Sequence, residues 1–184
     1  MNKKNIKAIM ALIFLTIAII IHSCYPKPNF SFIPEISYHS KKVITVEDRA
    51  TLVKKDSVVL SIKFKDGDGD LGLNAGDTLP PFHTKESRIN IFMDVFIKQG
   101  ETFVPYPLPN PDVNYNGTFP RLNEEGKTNP LEGILTYKVD FSHNDFAPNT
   151  ILKFKIKIRD RWAEEPLHFS NEIETDTVMI RRTP

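Results

Sequence analysis

Apolar and polar residues alternate with a period of two along most of the chain that follows residue 34. In DSVVLSIKF (56–64), Val58, Leu60, Ile62 and Phe64 share one face, and mainly polar residues occupy the other. Such alternation predicts a β-strand with one buried face. Further runs of this kind are RINIFMDVFIKQGETFVPY, GILTYKVDF, TILKFKIKIRD and NEIETDTVMIRR, and we expect an early strand within EISYHSKKVITV.

These runs predict an all-β fold. No stretch of a dozen residues carries a helical stripe, and the 14 prolines argue against long helices. Residues 98–101 (KQGE) predict a hairpin turn between two of the runs. About seven short strands hide their apolar faces best by stacking two sheets. The prediction is an immunoglobulin-like antiparallel β-sandwich.

The N-terminus has the pattern of an export signal. Lys3, Lys4 and Lys7 precede an apolar run over residues 8–21, shorter than the roughly 20 residues of a spanning helix. The run ends in IHSC, which resembles a bacterial lipoprotein box, although His22 replaces the usual small residue. Cys24 is the only cysteine, so an intrachain disulfide is impossible. We expect lipidation of Cys24; the alternative is a chance cysteine after a conventional cleavage site.

The sequence therefore predicts that the chain has three parts. Residues 1–23 are the expected signal peptide, residues 24–33 a lipidated, proline-containing tether, and residues 34–184 one domain. Loss of the three signal lysines changes the formal net charge from +1 to −2. A nearly neutral domain lacks the positive field that nucleic acid would require, so nucleic acid is excluded as an expected partner.

One acidic loop follows the predicted second strand, in KFKDGDGDLGLNAGDT (63–78). Calcium prefers about six to eight oxygen ligands, and alternating aspartates separated by glycine can curl around one point. Counted from the first aspartate, candidate ligands occupy positions one, three, five, nine and twelve: Asp66, Asp68, Asp70, Asn74 and Asp77. The spacing resembles an EF-hand loop. However, Leu71 stands where that loop has glycine, and a strand precedes it, so the resemblance extends to loop chemistry only.

Topology adds a sixth candidate ligand, Asp160. In an immunoglobulin-like sandwich the second and sixth strands run in the same direction, so the loops after them meet at one end. Converging carboxylates repel one another unless a positive charge balances them. The sequence leaves three interpretations open: a calcium ion, pairing with Arg159 and Arg161, or a solvated turn. Transition metals are less favoured because the histidines are isolated.

A long connection, PLPNPDVNYNGTFPRLNEEGKTNP (107–130), separates the hairpin from the next strand. Connections of this length inside a domain are uncommon and are often functional. Four aromatic residues in or beside it form a candidate interaction surface: Phe103, Tyr106, Tyr115 and Phe119. The alternative is that these rings cap an open edge of the sandwich from within.

The sequence gives no catalytic constellation. The histidines are scattered, and the chain lacks HExxH, GxSxG and a phosphate-binding glycine loop. Adjacent acids such as Glu164 and Glu165 are usually solvated charges. We therefore expect a protein that is not an enzyme.

The chain resembles small uncharacterised lipoproteins of Bacteroidota. The shared features are the lipobox, a strand leading into FKDGDGDLGL, and an RDR turn before SNEIETDTV, so the likeness covers residues 56–73 and 151–178. It implies an outer-membrane location, with the periplasmic face favoured because YPKPN, which contains no acidic residue, directly follows Cys24. It also implies O-glycosylation of Asp-Ser/Thr-aliphatic motifs, for which Thr78 is the most accessible candidate.

Together these features predict a binding function. We expect a lipid-anchored accessory or interaction subunit of an outer-membrane protein assembly, with a structural calcium site. The alternative is a carbohydrate-binding lipoprotein module, in which loop aromatics would stack on sugar rings.

Overall fold

The computed structural model describes residues 27–47, 52–108, 114–123 and 127–180, together with residues 3, 5–7 and 10. Cys24 and most of the predicted signal peptide lie outside the described residues. Within the described residues, no helix combines the length and the apolar character needed to cross a membrane.

Eight strands and one short 3-10 helix make up the domain in the described residues. The strands are β1 (Glu35–Glu47), β2 (Lys54–Asp66), β3 (Ile91–Gln99), β4 (Thr102–Pro105), β5 (Leu131–Ser142), β6 (Thr150–Ile158), β7 (Ile173–Glu174) and β8 (Val178–Ile180), and the 3-10 helix spans His143–Asp145. Each predicted strand is present, and the predicted hairpin is confirmed as β3 and β4. The C-terminal run forms two short strands where the sequence predicted one region of strand.

The strands form two antiparallel sheets that pack face to face. One sheet has the order β1-β2-β5, and the other has the order β4-β3-β6, with β7 and β8 both paired to β6. This order is that of an immunoglobulin-like sandwich, as the sequence predicted. Because β2 and β6 run in the same direction, their carboxyl ends lie at the same end of the molecule.

The core lies between the two sheets and uses the predicted inward faces. Val58, Leu60, Ile62 and Phe64 of β2 are buried. They face a buried row from β6, which consists of Leu152, Phe154, Ile156 and Ile158. Full burial of each large apolar side chain contributes about 1.5–3 kcal/mol, so these two central strands supply much of the stability. They also fix the loops that follow them.

Candidate metal centre

Carboxylates from two different loops meet at one end of the sandwich, which we call the acidic pole (residues 66–70 and Asp160). Asp66 is the last residue of β2, and Asp160 follows the end of β6 by two residues. One carboxylate oxygen from each of Asp66, Asp70 and Asp160 lies within 4.8 Å of the other two. The parallel course of β2 and β6 therefore brings together residues that are 90 positions or more apart in the sequence.

The first turn of the acidic loop is closed by a hydrogen bond from its backbone to the side chain of Asp66. The amide of Asp70 donates to Asp66 Oδ2 at 3.0 Å, which curls residues 66–70 back on the end of β2. Beyond this turn, Leu71 and Leu73 are buried in the domain. The loop is thus held by apolar burial on one side and directs its carboxylates to the other.

The long connection between β4 and β5 fixes the outer part of the acidic loop. The amide of Leu73 donates to the carbonyl of Phe119 at 3.2 Å, and the amide of Leu122 donates to the carbonyl of Leu71 at 3.0 Å. Gly72 adopts a φ of +88°, and a Cβ there would lie 2.1 Å from the carbonyl oxygen of Pro120. Only glycine permits this close approach without displacing the backbone.

Three carboxylate oxygens at the acidic pole have no hydrogen-bond partner among the described residues. They are Oδ1 of Asp66, of Asp68 and of Asp70, and each is buried. Asp66 as a residue is 0% exposed. Buried polar atoms nearly always find a partner, because an unsatisfied one costs about 1–3 kcal/mol and a charged one costs more. Three such atoms in one loop leave acceptor capacity that a cation or a proton could take up.

Burial and mutual repulsion disfavour the charged forms of these carboxyl groups. Burial, together with the charges of Asp68, Asp70 and Asp160, raises the pKa of Asp66 to about 7. Burial and the charges of Asp160 and Asp68 raise the pKa of Asp70 to about 6. Burial also raises the pKa of Asp160. Without a cation, the acidic pole is electrostatically unfavourable at neutral pH.

Asp160 is oriented by partners that the sequence did not reveal. Its Oδ1 accepts from the amide of Trp162 at 2.8 Å, and its Oδ2 lies 3.0 Å from Nδ1 of His168. The imidazole of His168 stacks on the indole of Trp162, with ring centroids 5.0 Å apart and an interplanar angle of 7°. These contacts fix the carboxylate of Asp160 where it meets the acidic loop.

The predicted ligand at position twelve, Asp77, is not one of the three converging carboxylates, and it is bonded to the backbone of Asn74 at position nine. Arg161 Nη2 donates to Asp77 Oδ1 at 3.2 Å, and the amide of Asn74 donates to Asp77 Oδ2 at 2.6 Å. The hydrogen bond from Arg161 lowers the pKa of Asp77. Asp77 thus closes a turn with Asn74 and has its own counter-charge.

The two arginines considered as counter-charges are engaged elsewhere. Arg161 pairs with Asp77, and the guanidinium of Arg159 donates to the main-chain oxygens of Ser87 and Ile89 at 2.6 and 2.9 Å. Arg121 is close enough to lower the pKa of Asp70, but burial outweighs it, because the pKa is raised overall. Arg161 therefore balances Asp77, and Arg121 offsets part of the charge repulsion at Asp70.

This geometry fits a hard cation. Calcium lies about 2.3–2.6 Å from its oxygen ligands, so two ligand oxygens of one ion stand at most about 5 Å apart. The 4.8 Å limit among the oxygens of Asp66, Asp70 and Asp160 meets this condition. Asp68 adds a fourth nearby carboxylate, with its own unpartnered oxygen.

The aromatic residues proposed as an interaction surface pack mostly against the domain. Phe119 is buried. The ring of Tyr106 stacks on Phe146 at 5.0 Å, and Tyr115 meets Phe141 at 5.2 Å. Burial raises the pKa of Tyr115 to about 12. These three residues cap the sandwich, which is the alternative that the sequence left open, and do not form an exposed flat platform.

Two further predicted positions lie outside the core: Phe103 is partly exposed and Thr78 is exposed. Phe103 sits under the ammonium group of Lys153, 5.0 Å from its ring centroid, on the outer side of β4. Thr78 is exposed, so its glycosylation stays a prediction. Ser57, which has the same motif, is buried and donates to Asp140 at 2.6 Å.

Comparison of the chain with protein-family models, with curated proteins and with solved structures finds no match.

Proposed function

We propose that the protein is a non-catalytic outer-membrane lipoprotein that binds calcium at the acidic pole and acts as an accessory subunit of a membrane-associated assembly. The observation that carries the calcium site is the set of three buried, unpartnered carboxylate oxygens on Asp66, Asp68 and Asp70, which Asp160 approaches from the second loop. The lipid anchor at Cys24 and the periplasmic face of the membrane rest on the sequence.

Calcium fits these ligands better than magnesium does. The cluster supplies carboxylates from a curled loop and from a separate loop, an irregular set that suits calcium's flexible coordination. Magnesium demands near-ideal octahedral geometry and keeps several waters, which a pocket of buried oxygens accommodates poorly. Because the oxygens are buried, the ion is structural: it holds the loop after β2 against the loop after β6.

Calorimetry on the mature chain, with Cys24→Ser to prevent acylation, tests this site. We expect calcium binding that Asp70→Asn weakens strongly, since that change removes one ligand charge. The matched control is Asp94→Asn, which removes an exposed carboxylate on β3 and should leave binding unchanged. An ion present at 100 times its dissociation constant would raise the free energy of unfolding by about 2.7 kcal/mol. No binding heat and no thermal stabilisation by calcium would refute the proposal.

Trp162 gives an independent readout. It is the only tryptophan in the chain, and its amide donates to Asp160, one of the proposed ligands. Terbium is a calcium substitute that emits when a nearby indole transfers energy to it. We expect terbium luminescence excited through Trp162, competed away by calcium and reduced in the Asp70→Asn variant.

The subunit role is supported by an exposed apolar stretch on an edge strand. Val43, Ile44 and Val46 of β1 are exposed, and the exposed Met179 of β8 lines the same shallow surface pocket as Val43. Edge strands with exposed β-branched residues are typical sites of pairing with another chain. We expect Ile44→Lys in the full lipidated chain to abolish co-purification of a membrane partner, whereas Thr136→Lys on the exposed face of β5 should not. An unchanged set of co-purified proteins would contradict this role.

A further inference from the structure

The chain enters the domain at the acidic pole and is fixed there. The amide of Gly67, inside the acidic loop, donates to the carbonyl of Ser31 at 2.8 Å. A Cβ at Gly67 would lie 2.5 Å from the carbonyl oxygen of Phe30, so the two segments are in close contact. The ammonium group of Lys65 lies 5.4 Å from the ring centroid of Phe30. The tether is therefore attached to the loop that carries the proposed ion ligands.

The length of the tether limits how the domain can sit above a membrane. Cys24 and Ser31 are seven positions apart, and the chain between them spans at most about 25 Å when fully extended. Strand β2 alone has 13 residues, which corresponds to about 43 Å along the sandwich. A chain anchored through Cys24 thus cannot bring the opposite end of the sandwich to the bilayer. Only the acidic pole and the adjacent flanks are within reach.

Exposed apolar side chains from three separate segments lie beside the acidic pole. Phe32 is 64% exposed and Ile33 is 48% exposed beside the acidic loop. Leu79, in the loop after β2, is 77% exposed, and Trp162, in the loop after β6, is 44% exposed. Large exposed apolar groups that cluster at one end mark an interaction site, and tryptophan favours the interface between lipid and water.

One ion pair joins the two loops that carry Leu79 and Trp162. Asp77, two residues before Leu79, pairs with Arg161, which directly precedes Trp162. The guanidinium of Arg161 also lies over the ring of Phe82, with its central carbon 5.0 Å from the ring centroid. Arg161 therefore joins the tip of the first loop to the tip of the second.

We propose that the acidic pole faces the bilayer and that Phe32, Ile33, Leu79 and Trp162 contact the lipid interface. This inference rests on the lipid anchor of the proposed function and deepens it, because it gives the anchored domain a defined orientation. A bound cation contributes by neutralising carboxylates that an anionic lipid surface would otherwise repel. The exposed ammonium group of Lys65 is on the same side and favours contact with anionic headgroups.

Depth-dependent quenching of tryptophan fluorescence tests the orientation. The full lipidated chain is reconstituted with calcium into vesicles of phosphatidylethanolamine and phosphatidylglycerol, with part of the lipid carrying bromine on its acyl chains. Trp162 reports on the acidic pole. Two variants in a Trp162→Phe background move the single tryptophan: Asn144→Trp to the opposite end and Ile44→Trp to the flank formed by β1. Both positions are exposed, so neither substitution disturbs the core.

We expect brominated lipid to quench Trp162 several-fold more than the tryptophan at position 144 or 44. Phe32→Ser combined with Leu79→Ser should reduce the quenching of Trp162, while the protein still sediments with the vesicles through its lipid. Equal quenching at the three positions, or the strongest quenching at position 44, would overturn the orientation and leave the anchor intact. A chain that does not sediment with vesicles would overturn both the orientation and the anchor of the proposed function.

Discussion

Removing calcium should reverse the sign of the pH dependence of the free energy of unfolding. In the metal-free protein, the pKa of Asp66 is about 7, against an ordinary value of 3.8. At any pH between these two pKa values, the folded state binds more protons than the unfolded state does. The free energy of unfolding therefore rises as the pH falls through about 7, and this gain is complete near the unfolded pKa of about 3.9.

The size of the effect follows from the same two pKa values. At about 1.4 kcal/mol per pH unit, the raised pKa of Asp66 corresponds to on the order of 4 kcal/mol of destabilisation at alkaline pH. The raised pKa of Asp70 contributes in the same direction. The two effects are not additive, because the charge of Asp70 is itself one of the causes that raise the pKa of Asp66. A bound calcium ion stabilises the charged forms, so it should remove this penalty and make the protein more stable as the pH rises.

Urea unfolding of the mature Cys24→Ser chain at about pH 5 and about pH 8 measures how the free energy of unfolding depends on pH, with and without calcium. With a chelator present we expect higher stability at the lower pH, and with saturating calcium higher stability at the higher pH. Asp70→Asn should flatten the metal-free slope, since it removes one of the repelling charges, whereas the exposed Asp94→Asn should not. A metal-free protein that loses stability on acidification over this range would refute the electrostatic account of the acidic pole.

Three substitutions test the packing around the site and at the opposite end, each by chemical denaturation. Gly72→Ala should destabilise the fold by at least about 1–2 kcal/mol, because of its positive φ and the close carbonyl, while Gly76→Ala, with open space around it, should stay within about 0.5 kcal/mol. Asn90→Ala should cost about 2–3 kcal/mol, since its buried amide group bonds both the N–H and the carbonyl of Phe119. His143→Ala should cost about 1–3 kcal/mol, because it removes a buried side chain whose Nε2 lies 3.1 Å from the fully buried carboxylate of Asp56. A neutral result for Gly72→Ala, Asn90→Ala or His143→Ala would contradict the corresponding contact.

The sequence predicted the strands well because burial on one face leaves a period of two. In β6, Leu152, Phe154, Ile156 and Ile158 point inward, and the residues between them remain partly exposed. The strands identified by this period, together with the expectation that β2 and β6 run in the same direction, were sufficient to predict that Asp160 approaches the acidic loop. Both predictions depend on regular backbone geometry, which a sequence pattern encodes directly.

The details of the acidic loop were not predictable in this way. The prediction of ligands at positions one, three, five, nine and twelve assumes that the loop winds around an ion, as in an EF-hand. Here the burial of Leu71 and Leu73 draws the loop toward the core, and Asp77 pairs with Arg161. The contact between Asp160 and His168 also has no local signature, since it depends on how residues 161–167 fold back. Such contacts result from tertiary packing, which spacing in the sequence does not determine.

The exposed apolar residues of β1 and those beside the acidic pole lie at different distances from the tether. We therefore expect substitutions in the two regions to affect different functions. Strand β1 begins beside the acidic pole, where Glu35 pairs with Lys65, and ends at the opposite end of the sandwich. Ile44 is nine residues along β1 from Glu35, which places it about 30 Å from the pole. If the pole rests on the bilayer, the edge around Ile44 stands clear of the lipid and is available to a protein partner. Ile44→Lys should therefore abolish partner co-purification and leave the lipid quenching of Trp162 unchanged, while Leu79→Ser should reduce that quenching and leave co-purification unchanged. Loss of both properties in either variant would mean that one surface, and not two, carries the contacts of this protein.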